Sequence, residues 1–599
     1  MKKNLSVIFT IGIFQSLFAQ YSVYDFDPVI VTGSLAEQQW SSALRNTTVI
    51  NRAQIEMGNS QSIDNILESV IGIDCRSQGP GNVQTDVSIR GAGAEQTLIL
   101  IDGIAVTDPQ TAHFSMDLPI SNRDIEQVEI IKGGASKIYG AGAYGGVINF
   151  ITRQNQPSFF EITAHSGSFE TFGASAGLFR HIGKFQTRLS SSYQQSEGYR
   201  YNTDFKHLNL SLNSVFQNSR RFSKFSIAYL NKDFGANDFY YTDKAEQRES
   251  TETLMFSAVH RQSGKTGPFK TSLSWRSHLD HYIYDFTNPA LYENRHRTNV
   301  VQTTMLKTVY LRNGVFNVSV NSHFEQIHSN NLGNHQRTAA GLAAEYQQSL
   351  GKRVNLQIGI ADDYYSDWGN AFMPGVDLRI DIGDKLVAQS SISRAYRIPS
   401  FTELYYSSPT NQGNPDLKPE IGWTAEQNLR YNQGKTTTAI GLFLRSGNEQ
   451  IDWVRRYSGD QWQVQNISSI ENIGLETSFN YSPDNHFLKS LSVNYCTMKT
   501  NKTEFEFESK YLLSSLRHQM IISIIPARVF NLQQKWTLRY EDRIHSPAYT
   551  IVNASLTRAF KRVSISIGLS NLLDGNYQNA AGIPMPGRRI NVNFQYRTP

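Results

Sequence analysis

The dominant pattern in this chain is a two-residue alternation of apolar and polar side chains, repeated in short runs from about residue 157 to the C-terminus. In the last run, Ile590, Val592 and Phe594 share one face, and Asn591 and Asn593 share the other. A period of two indicates β-strands, because successive side chains of a strand point to opposite faces. Similar runs, separated by polar segments rich in Gly and Asn, occur at 354–360, 440–444 and 563–569.

Apolar side chains on one face, with Asn, Ser, Gln and Gly on the other, are what a barrel with lipid outside and a wet lumen requires. A large soluble sandwich or propeller has the same period. Residues 1–19 argue against the soluble alternative, as does the segment 88–152 described below, because Lys2 and Lys3, an apolar run and Ala19 are typical of a secretory signal peptide. No other stretch approaches the ~18 apolar residues of a membrane helix. The sequence therefore favours an exported all-β transmembrane barrel.

The length of the repetitive region predicts the size of this barrel. The region from 157 to 599 has 443 residues, and a tilted spanning strand takes about 9–11 of them. With turns and loops included, ~20 residues per strand gives about 22 antiparallel strands. A lumen of that size holds a plug, and a closed barrel leaves no unpaired backbone edge in lipid.

The segment 88–152 precedes the barrel and contains four elements in a fixed order. They are Arg90-Gly91, an apolar run ending in Asp102-Gly103, a run ending in Gly133, and a glycine-rich segment closing on Gly145-Gly146. Short apolar runs bounded by Gly and charge predict buried strands, and Asp102-Gly103 predicts a tight turn. The order and spacing resemble the plug domain of TonB-dependent outer-membrane receptors.

This resemblance implies an N-terminal α+β plug domain inside the lumen and active import of a scarce, bulky ligand without chemistry performed on it. It also implies the outer membrane of a Gram-negative bacterium, outer-membrane lipid and the TonB energy-transducing protein as partners, and a monomeric barrel. An accompanying surface-exposed lipoprotein is left open. The predicted organisation is a signal peptide at 1–19, a periplasmic segment at 20–34, a plug at 35–156 and the barrel at 157–599.

Two enzyme-like motifs lack the local structure that their chemistry needs. Residues 140–145 fit G-x-G-x-x-G, but that motif requires a helix after the glycines, and the following 146–151 is β-branched and aromatic. Residues 173–177 fit the nucleophile elbow, but they lie in an alternating strand pattern. No catalytic residues are therefore assigned, and the chain is predicted not to be an enzyme.

An acidic start followed by a β-branched triplet, at 25–33, resembles the TonB box of these receptors. Such a segment can add as a strand to an exposed sheet edge, where main-chain hydrogen bonds give affinity. The alternative is that the triplet forms a first plug strand. The predicted TonB-binding residues are Pro28, Val29, Ile30, Val31 and Thr32.

A loop placed between two plug strands, at 107–115, is the candidate ligand site. Its residues 108–113, together with 116–119, 165–177 and 199–205, resemble the cobalamin-receptor branch found in Bacteroidetes-type bacteria, which implies a corrinoid ligand. A ferric siderophore is the alternative, and a barrel-anchored adhesin is a more distant one. Aromatic residues in a later loop could stack on a planar ligand. The candidate ligand-binding residues are Asp108, Gln110, Thr111, His113, Phe239, Tyr240 and Tyr241.

The paired motifs at 395–404 and 413–420 resemble a signature common in receptor barrels. Haem receptors of the family usually have a histidine between the two boxes. Phe401–Gln412 contains none, which argues against haem as the ligand. An architectural role, with Pro ending the strands, is the simpler interpretation of the pair.

No cofactor is assigned, but acids in two predicted loops could hold a structural calcium ion, a hard cation that takes several oxygen ligands. Solvated loop acids are the alternative. Cys75 and Cys496 show no metal-ligand spacing, and nothing supports a disulfide between them. A net charge of +5 over 599 residues is too small to indicate nucleic acid. The possible calcium ligands are Asp204, Asp233, Asp238 and Asp243.

Overall fold

A computed structural model describes residues 29–30, 33–154, 156–241, 244–483, 486–502, 507–510, 516–544, 546–580 and 582–598. The predicted signal peptide lies outside the described residues, as do Pro28, Val31, Thr32 and Asp243 among the predicted site residues.

The N-terminal part folds into a small α+β domain around a mixed five-stranded sheet of order β3-β8-β9-β6-β7, in which only β6 and β9 run parallel. Asn51 caps the first helix reciprocally with Gln54, and Asn59 ends it in the left-handed region. The elements are β1 Val29–Ile30, β2 Gln38–Gln39, β3 Thr47–Asn51, α1 Arg52–Gly58, α2 Ile63–Leu67, β4 Ile73–Ser77, β5 Thr85–Ile89, β6 Thr97–Ile101, β7 Ile104–Ala105, β8 Ile125–Lys132, α3 Ser136–Tyr139 and β9 Gly146–Thr152, with 3₁₀ turns at Trp40–Ser42, Ala94–Gln96 and Ala112–Phe114.

The remaining described residues form a closed antiparallel barrel of 22 long strands, which confirms the predicted fold class. The last strand pairs with the first, with Glu161 opposite Arg597. The short β23 and β28 add to it at one end. The strands are β10 Phe159–Gly167, β11 Thr171–Ile182, β12 Phe185–Ser196, β13 Phe205–Gln217, β14 Arg221–Gly235, β15 Arg248–Gly264, β16 Gly267–Ile283, β17 Glu293–Leu311, β18 Gly314–Ser329, β19 Gly333–Leu350, β20 Val354–Tyr365, β21 Gly369–Ile382, β22 Leu386–Arg397, β23 Asn411–Gln412, β24 Glu420–Gln433, β25 Thr436–Arg455, β26 Trp462–Tyr481, β27 Leu488–Lys502, β28 Glu508–Ser509, β29 Leu516–Pro526, β30 Leu532–Arg543, β31 Ser546–Ala559, β32 Val563–Ser570 and β33 Arg589–Arg597; α4 Phe401–Tyr405 and a 3₁₀ turn at Pro289–Leu291 lie in connections.

Burial along the barrel strands is inverted relative to a soluble protein. In β13, Leu210 and Leu212 are about 40% exposed, whereas Asn209, Ser211 and Asn213 are buried. That arrangement is energetically favourable only with lipid outside the barrel and a polar interior. Among the described residues, no helix combines the length and apolar character needed to cross a membrane.

The two ends of the barrel differ in the length of their connections. Turns such as 183–184 and 265–266 join strands at the end where β10 begins and β33 ends, and much longer segments such as 398–419 and 571–588 join them at the other. Short turns are typical of the periplasmic end and long loops of the extracellular end. The end with long loops is therefore called the outer end.

One enzyme-like motif is followed by a strand and the other lies within a strand, as the sequence analysis expects. The glycines of 140–145 lead into β9, and 173–177 lies inside β11. Neither has the following helix that a phosphate site or a nucleophile elbow needs. Cys75 and Cys496 are both buried and unpaired with each other.

Candidate functional site

The plug loop between β7 and β8 lies near the outer end and is fastened to the barrel wall by buried polar contacts. Asp108 pairs with Arg276 at 2.5 Å and accepts from the hydroxyl of Thr298 at 3.0 Å. The Gln110 amide donates to Asp280 at 3.0 Å. The side chains of Asp108 and Gln110 therefore anchor the plug loop to the barrel wall. The same polar groups would otherwise be free to contact a ligand.

Among the candidate ligand residues of the plug loop, His113 faces a cavity with its side chain only partly covered. Its Nδ1 lies 2.8 Å from Asp86 Oδ1, and its ring meets the edge of Tyr240. Burial alone lowers the pKa of His113, but the Asp86 carboxylate, and to a smaller extent Glu95, outweigh burial and raise it. Thr111 donates to Glu95 at 3.3 Å and is buried.

The predicted aromatic residues meet the plug loop at this place. The hydroxyl of Tyr240 lies 2.7 Å from a carboxylate oxygen of Glu249, and its ring packs edge-on against Tyr282 with centroids 5.1 Å apart. Phe239 packs beside Tyr240, and Tyr241 beside Tyr284. The structure thus brings together His113 and the aromatic loop, which are over a hundred residues apart in sequence.

These groups border a cavity of about 370 Å³, named here the outer cavity, between the plug loop, the aromatic loop and the connection 398–419. Carboxylates outnumber basic groups in its wall. Of the four basic residues, Arg397 is paired with Glu403 and Glu420, and Arg543 with acids outside the wall. The lining acids are Asp86, Glu95, Glu249, Asp280, Glu403, Glu420 and Asp452, and the lining bases are Arg76, Arg397, Lys510 and Arg543.

The connection 398–419 is a part of the site that sequence reasoning missed, because its motif was interpreted as architectural. The backbone N–H groups of Phe401 and Thr402 donate to the carbonyls of Pro109 and Gln110, at 2.9 and 3.0 Å. Helix α4 begins there with a capping box of Ser400 and Glu403. That capping box was the available signal, since it fixes a helix directly after β22.

The plug motif serves attachment to the barrel. Arg90 makes a bidentate pair with Glu476, both bonds 3.0 Å long, and also pairs with Glu426 at 3.0 Å. Lys132 reaches Glu476 at 3.1 Å. Gly133 lies against the carboxylate of Glu426 so closely that a Cβ there would come within 1.7 Å of it. We call Arg90, Lys132, Glu426 and Glu476 the latch.

The other motif residues shape the plug around this latch. Asp102 and Gly103 form a turn with positive φ, and Asp102 accepts from Thr152 and pairs with Lys224 of the wall at 2.7 Å. Gly145 donates its N–H to Gln96, and a Cβ on Gly146 would come within 2.4 Å of the Ile131 carbonyl. Gly91 follows Arg90 with φ of 69°.

The described part of the predicted TonB box is a short strand. Val29 and Ile30 pair antiparallel with Gln39 and Gln38. The segment that follows, 34–38, lies at the periplasmic end, where Ser34 donates to Glu345 at 2.5 Å. Val29 and Ile30 are thus paired within their own chain in this structure.

The described acids of the calcium hypothesis pair with arginines. Arg248 bridges Asp204 and Asp233, and Arg200 pairs with Asp238 at 2.9 Å. Within the described ranges, no group of three or more His, Cys, Asp or Glu side chains is arranged to hold a metal ion. Calcium binding remains a hypothesis, and an arginine already supplies positive charge between Asp204 and Asp233.

We expect Arg248→Ala to increase protease cleavage in the loops 197–204 and 236–247, because two facing carboxylates lose their shared cation. These ion pairs are partly exposed, so the loss of loop stability is expected to be about 1 kcal/mol or less. Chelation of divalent ions is expected to leave the wild-type cleavage rate unchanged. Arg220→Ala, at the periplasmic end, is the control. Faster cleavage of the wild type with chelator would instead favour calcium.

Comparisons with known proteins agree with this architecture. A family model described as "TonB dependent receptor-like, beta-barrel" matches residues 136–572, and one described as "TonB-dependent Receptor Plug Domain" matches residues 41–147.

Individual proteins are similar over nearly the whole length. The vitamin B12 transporter BtuB of Vibrio vulnificus strain YJ016 is 24% identical, over 92% of each chain. The siderophore receptor PirA of Pseudomonas aeruginosa has a TM-score of 0.75 at 17% identity, covering 92% of this chain and 99% of its own. The copper transporter OprC has a TM-score of 0.79 at 14% identity, covering 95% and 100%. These two structures show the fold alone.

Proposed function

The chain belongs to the TonB-dependent outer-membrane receptors of Gram-negative bacteria, and from this premise we propose that it imports cobalamin or another corrinoid. The family consists of receptors and transporters, so the chain is not an enzyme. Ligand binds in the outer cavity, and TonB supplies the energy through the segment around Val29 and Ile30, since the outer membrane holds no ATP.

The acid-rich wall of the outer cavity is the observation that carries the choice of ligand. Ferric catecholate siderophores are anions that need a surplus of basic groups, and this wall offers none, because four basic residues stand among seven acidic ones. Cyanocobalamin has no net charge and carries amide groups around its edge, which hydrogen-bond to carboxylates, tyrosine hydroxyls and histidine. The similarity to vitamin B12 transporters over 92% of the chain adds support.

A ferric siderophore remains the second candidate, because several similar structures are siderophore receptors. The electrostatic argument does not apply to uncharged ferric hydroxamates. Titration of the purified receptor with cyanocobalamin, a ferric catecholate and a ferric hydroxamate separates the cases. We expect cyanocobalamin to bind most tightly, and tight siderophore binding without corrinoid binding would refute the proposal.

We expect His113→Ala to weaken cyanocobalamin binding by about 1–3 kcal/mol, the cost of an unmade buried hydrogen bond. His113 faces the outer cavity between Asp86 and Tyr240, so its removal changes the site without opening the latch. Gln110→Ala is expected to weaken binding similarly, by freeing the plug loop from Asp280. His181→Ala, exposed at the periplasmic end, is the matched control. If all three variants bind cyanocobalamin with the affinity of the wild type, the ligand binds away from this loop.

A further inference from the structure

The periplasmic turns of the barrel carry a ring of positive charge, and we propose that this ring binds the anionic headgroups of phospholipids in the periplasmic leaflet of the outer membrane. Ten turns join the strands at this end, and nine of them contain a lysine or an arginine. The proposal needs only a barrel in a membrane, so it stands whatever ligand the receptor imports. The eleven basic residues, named here the cationic rim, lie one each in the turns 183–184, 218–220, 265–266, 312–313, 383–385, 434–435 and 527–531, and two each in 351–353 and 560–562.

The two ends of the barrel have opposite charge. The ten periplasmic turns contain only two acids, Asp384 and Asp484, of which Asp484 lies outside the described residues. In the connections at the outer end, acids outnumber bases by more than two to one. The net charge of +5 for the whole chain therefore conceals a basic periplasmic end and an acidic outer end. An anionic partner meets a favourable potential at the cationic rim and an unfavourable one at the outer end.

The side chains of the cationic rim are exposed. Lys435 aside, none of them pairs with a carboxylate in the part of the chain that the structure describes. Arg528 donates to the amide oxygen of Gln533 at 3.4 Å, and this contact leaves its charge uncompensated. Either sign of charge keeps a turn solvated, so solvation alone predicts a mixture of both signs. The excess of one sign therefore indicates an anionic neighbour.

The position of the rim along the barrel axis places its charges at the depth of lipid headgroups. Exposed apolar side chains continue up to the turns, with Ile182 and Phe185 on either side of the turn that holds Lys184, and Leu311 directly before Arg312. One strand residue advances about 3.3 Å along the strand, so these cations lie within a few ångströms of the lipid-facing band. Long basic side chains at such a boundary bury their stems in apolar surroundings and place their charged groups among the headgroups.

The distribution of the rim around the barrel favours lipid over a protein partner. Its turns join strands from β11 to β32, so the charges surround nearly the whole circumference. A protein would cover one sector, whereas an annulus of lipid meets every turn. The turn without lysine or arginine, 482–487, presents Phe487, which is 88% exposed, and the neighbouring turn presents Phe530, which is 89% exposed. Aromatic side chains at this level are typical of a membrane interface.

The lipid selectivity of the purified full-length receptor tests the proposal. Native mass spectrometry of the delipidated receptor with equal amounts of phosphatidylglycerol and phosphatidylethanolamine counts the molecules of each lipid that stay bound. We expect phosphatidylglycerol to bind about fivefold more tightly, the factor that corresponds to ~1 kcal/mol for one cation near an anionic headgroup. This preference should decrease as the ionic strength rises. Equal retention of the two lipids overturns the proposal.

Neutralising four successive turns of the rim locates the binding. The combined variant Lys184→Gln, Arg220→Gln, Lys265→Gln and Arg312→Gln should lower the number of retained phosphatidylglycerol molecules by about a third and leave phosphatidylethanolamine unchanged. The charge-conserving set, with lysine and arginine exchanged at the same four positions, should retain the wild-type number.

The matched control lies at the outer end, where Lys418→Gln, Arg456→Gln and Arg588→Gln remove three exposed basic groups. This control should keep the phosphatidylglycerol count of the wild type. An unchanged count in the neutralised rim variant, or an equal loss in the outer variant, overturns the proposal.

Peptidoglycan, whose peptides carry carboxylates, is the competing anionic partner on the periplasmic side. We expect purified cell-wall sacculi to sediment equal amounts of the detergent-solubilised wild type and of the neutralised rim variant. Sedimentation of the wild type that the neutralised variant loses, with no preference for phosphatidylglycerol, overturns the assignment to lipid.

Discussion

Replacing Ile30 with proline is expected to abolish TonB-dependent uptake and to leave ligand binding at the cell surface unchanged. Proline has no N–H and fixes φ, so the segment can no longer add as a strand to the edge of a partner sheet. The outer cavity lies at the other end of the barrel and keeps its contacts. Uptake of labelled cyanocobalamin and binding by whole cells measure the two effects separately.

Ile30→Val is the control, because valine keeps the backbone donor and the strand preference. Unchanged uptake by Ile30→Pro would refute energy coupling through this segment. If neither variant changes uptake and cells that carry either variant adhere normally, the result would favour the barrel-anchored adhesin instead.

Glu476→Ala is expected to lower the free energy of plug unfolding by about 3–5 kcal/mol. The change leaves Arg90 and Lys132 buried without a counter-charge from this strand. Arg90 loses both bonds of its bidentate pair, and Lys132 loses its 3.1 Å contact. Within the latch, Glu426 alone remains to compensate Arg90. The pKa of the Arg90 guanidinium is raised by these acids despite its burial, so the arginine stays charged and carries the cost.

The effect is measured as the free energy of plug unfolding, from urea titration of the receptor in detergent. Glu471→Ala is the matched control, since Glu471 lies on the same strand and is exposed. If Glu476→Ala and Glu471→Ala unfold the plug at the same urea concentration, the latch does not hold the plug. Glu476→Gln, which keeps the volume, separates the charge effect from a packing defect.

The barrel and the plug were predictable from sequence because the signals for both are local. Each barrel strand must present apolar groups to lipid, so alternation appears in every strand, as Leu210 and Leu212 against Ser211 illustrate. The plug motif was recognisable because its glycines are required by close approaches, such as that of Gly133 to Glu426. Both features can be read within a few tens of residues.

The state of the candidate site residues was not predictable in the same way. Asp108 and Gln110 have the residue types of ligand contacts, yet the fold pairs them with Arg276 and Asp280. The acids considered for calcium include Asp204 and Asp233, which Arg248 bridges. Whether a polar group is free for a ligand depends on which strand of the barrel lies opposite it.

By itself, the sequence determined the class of the protein, its two-part architecture and the neighbourhood of the site. Only the tertiary structure decided that the connection 398–419 covers the plug loop, and that Ser34 rests on Glu345, 311 residues away. The physical reason is closure of the barrel. Alternation sets which face of each strand points inward, but strand order and register set which inward groups meet the plug, and no local pattern encodes that meeting.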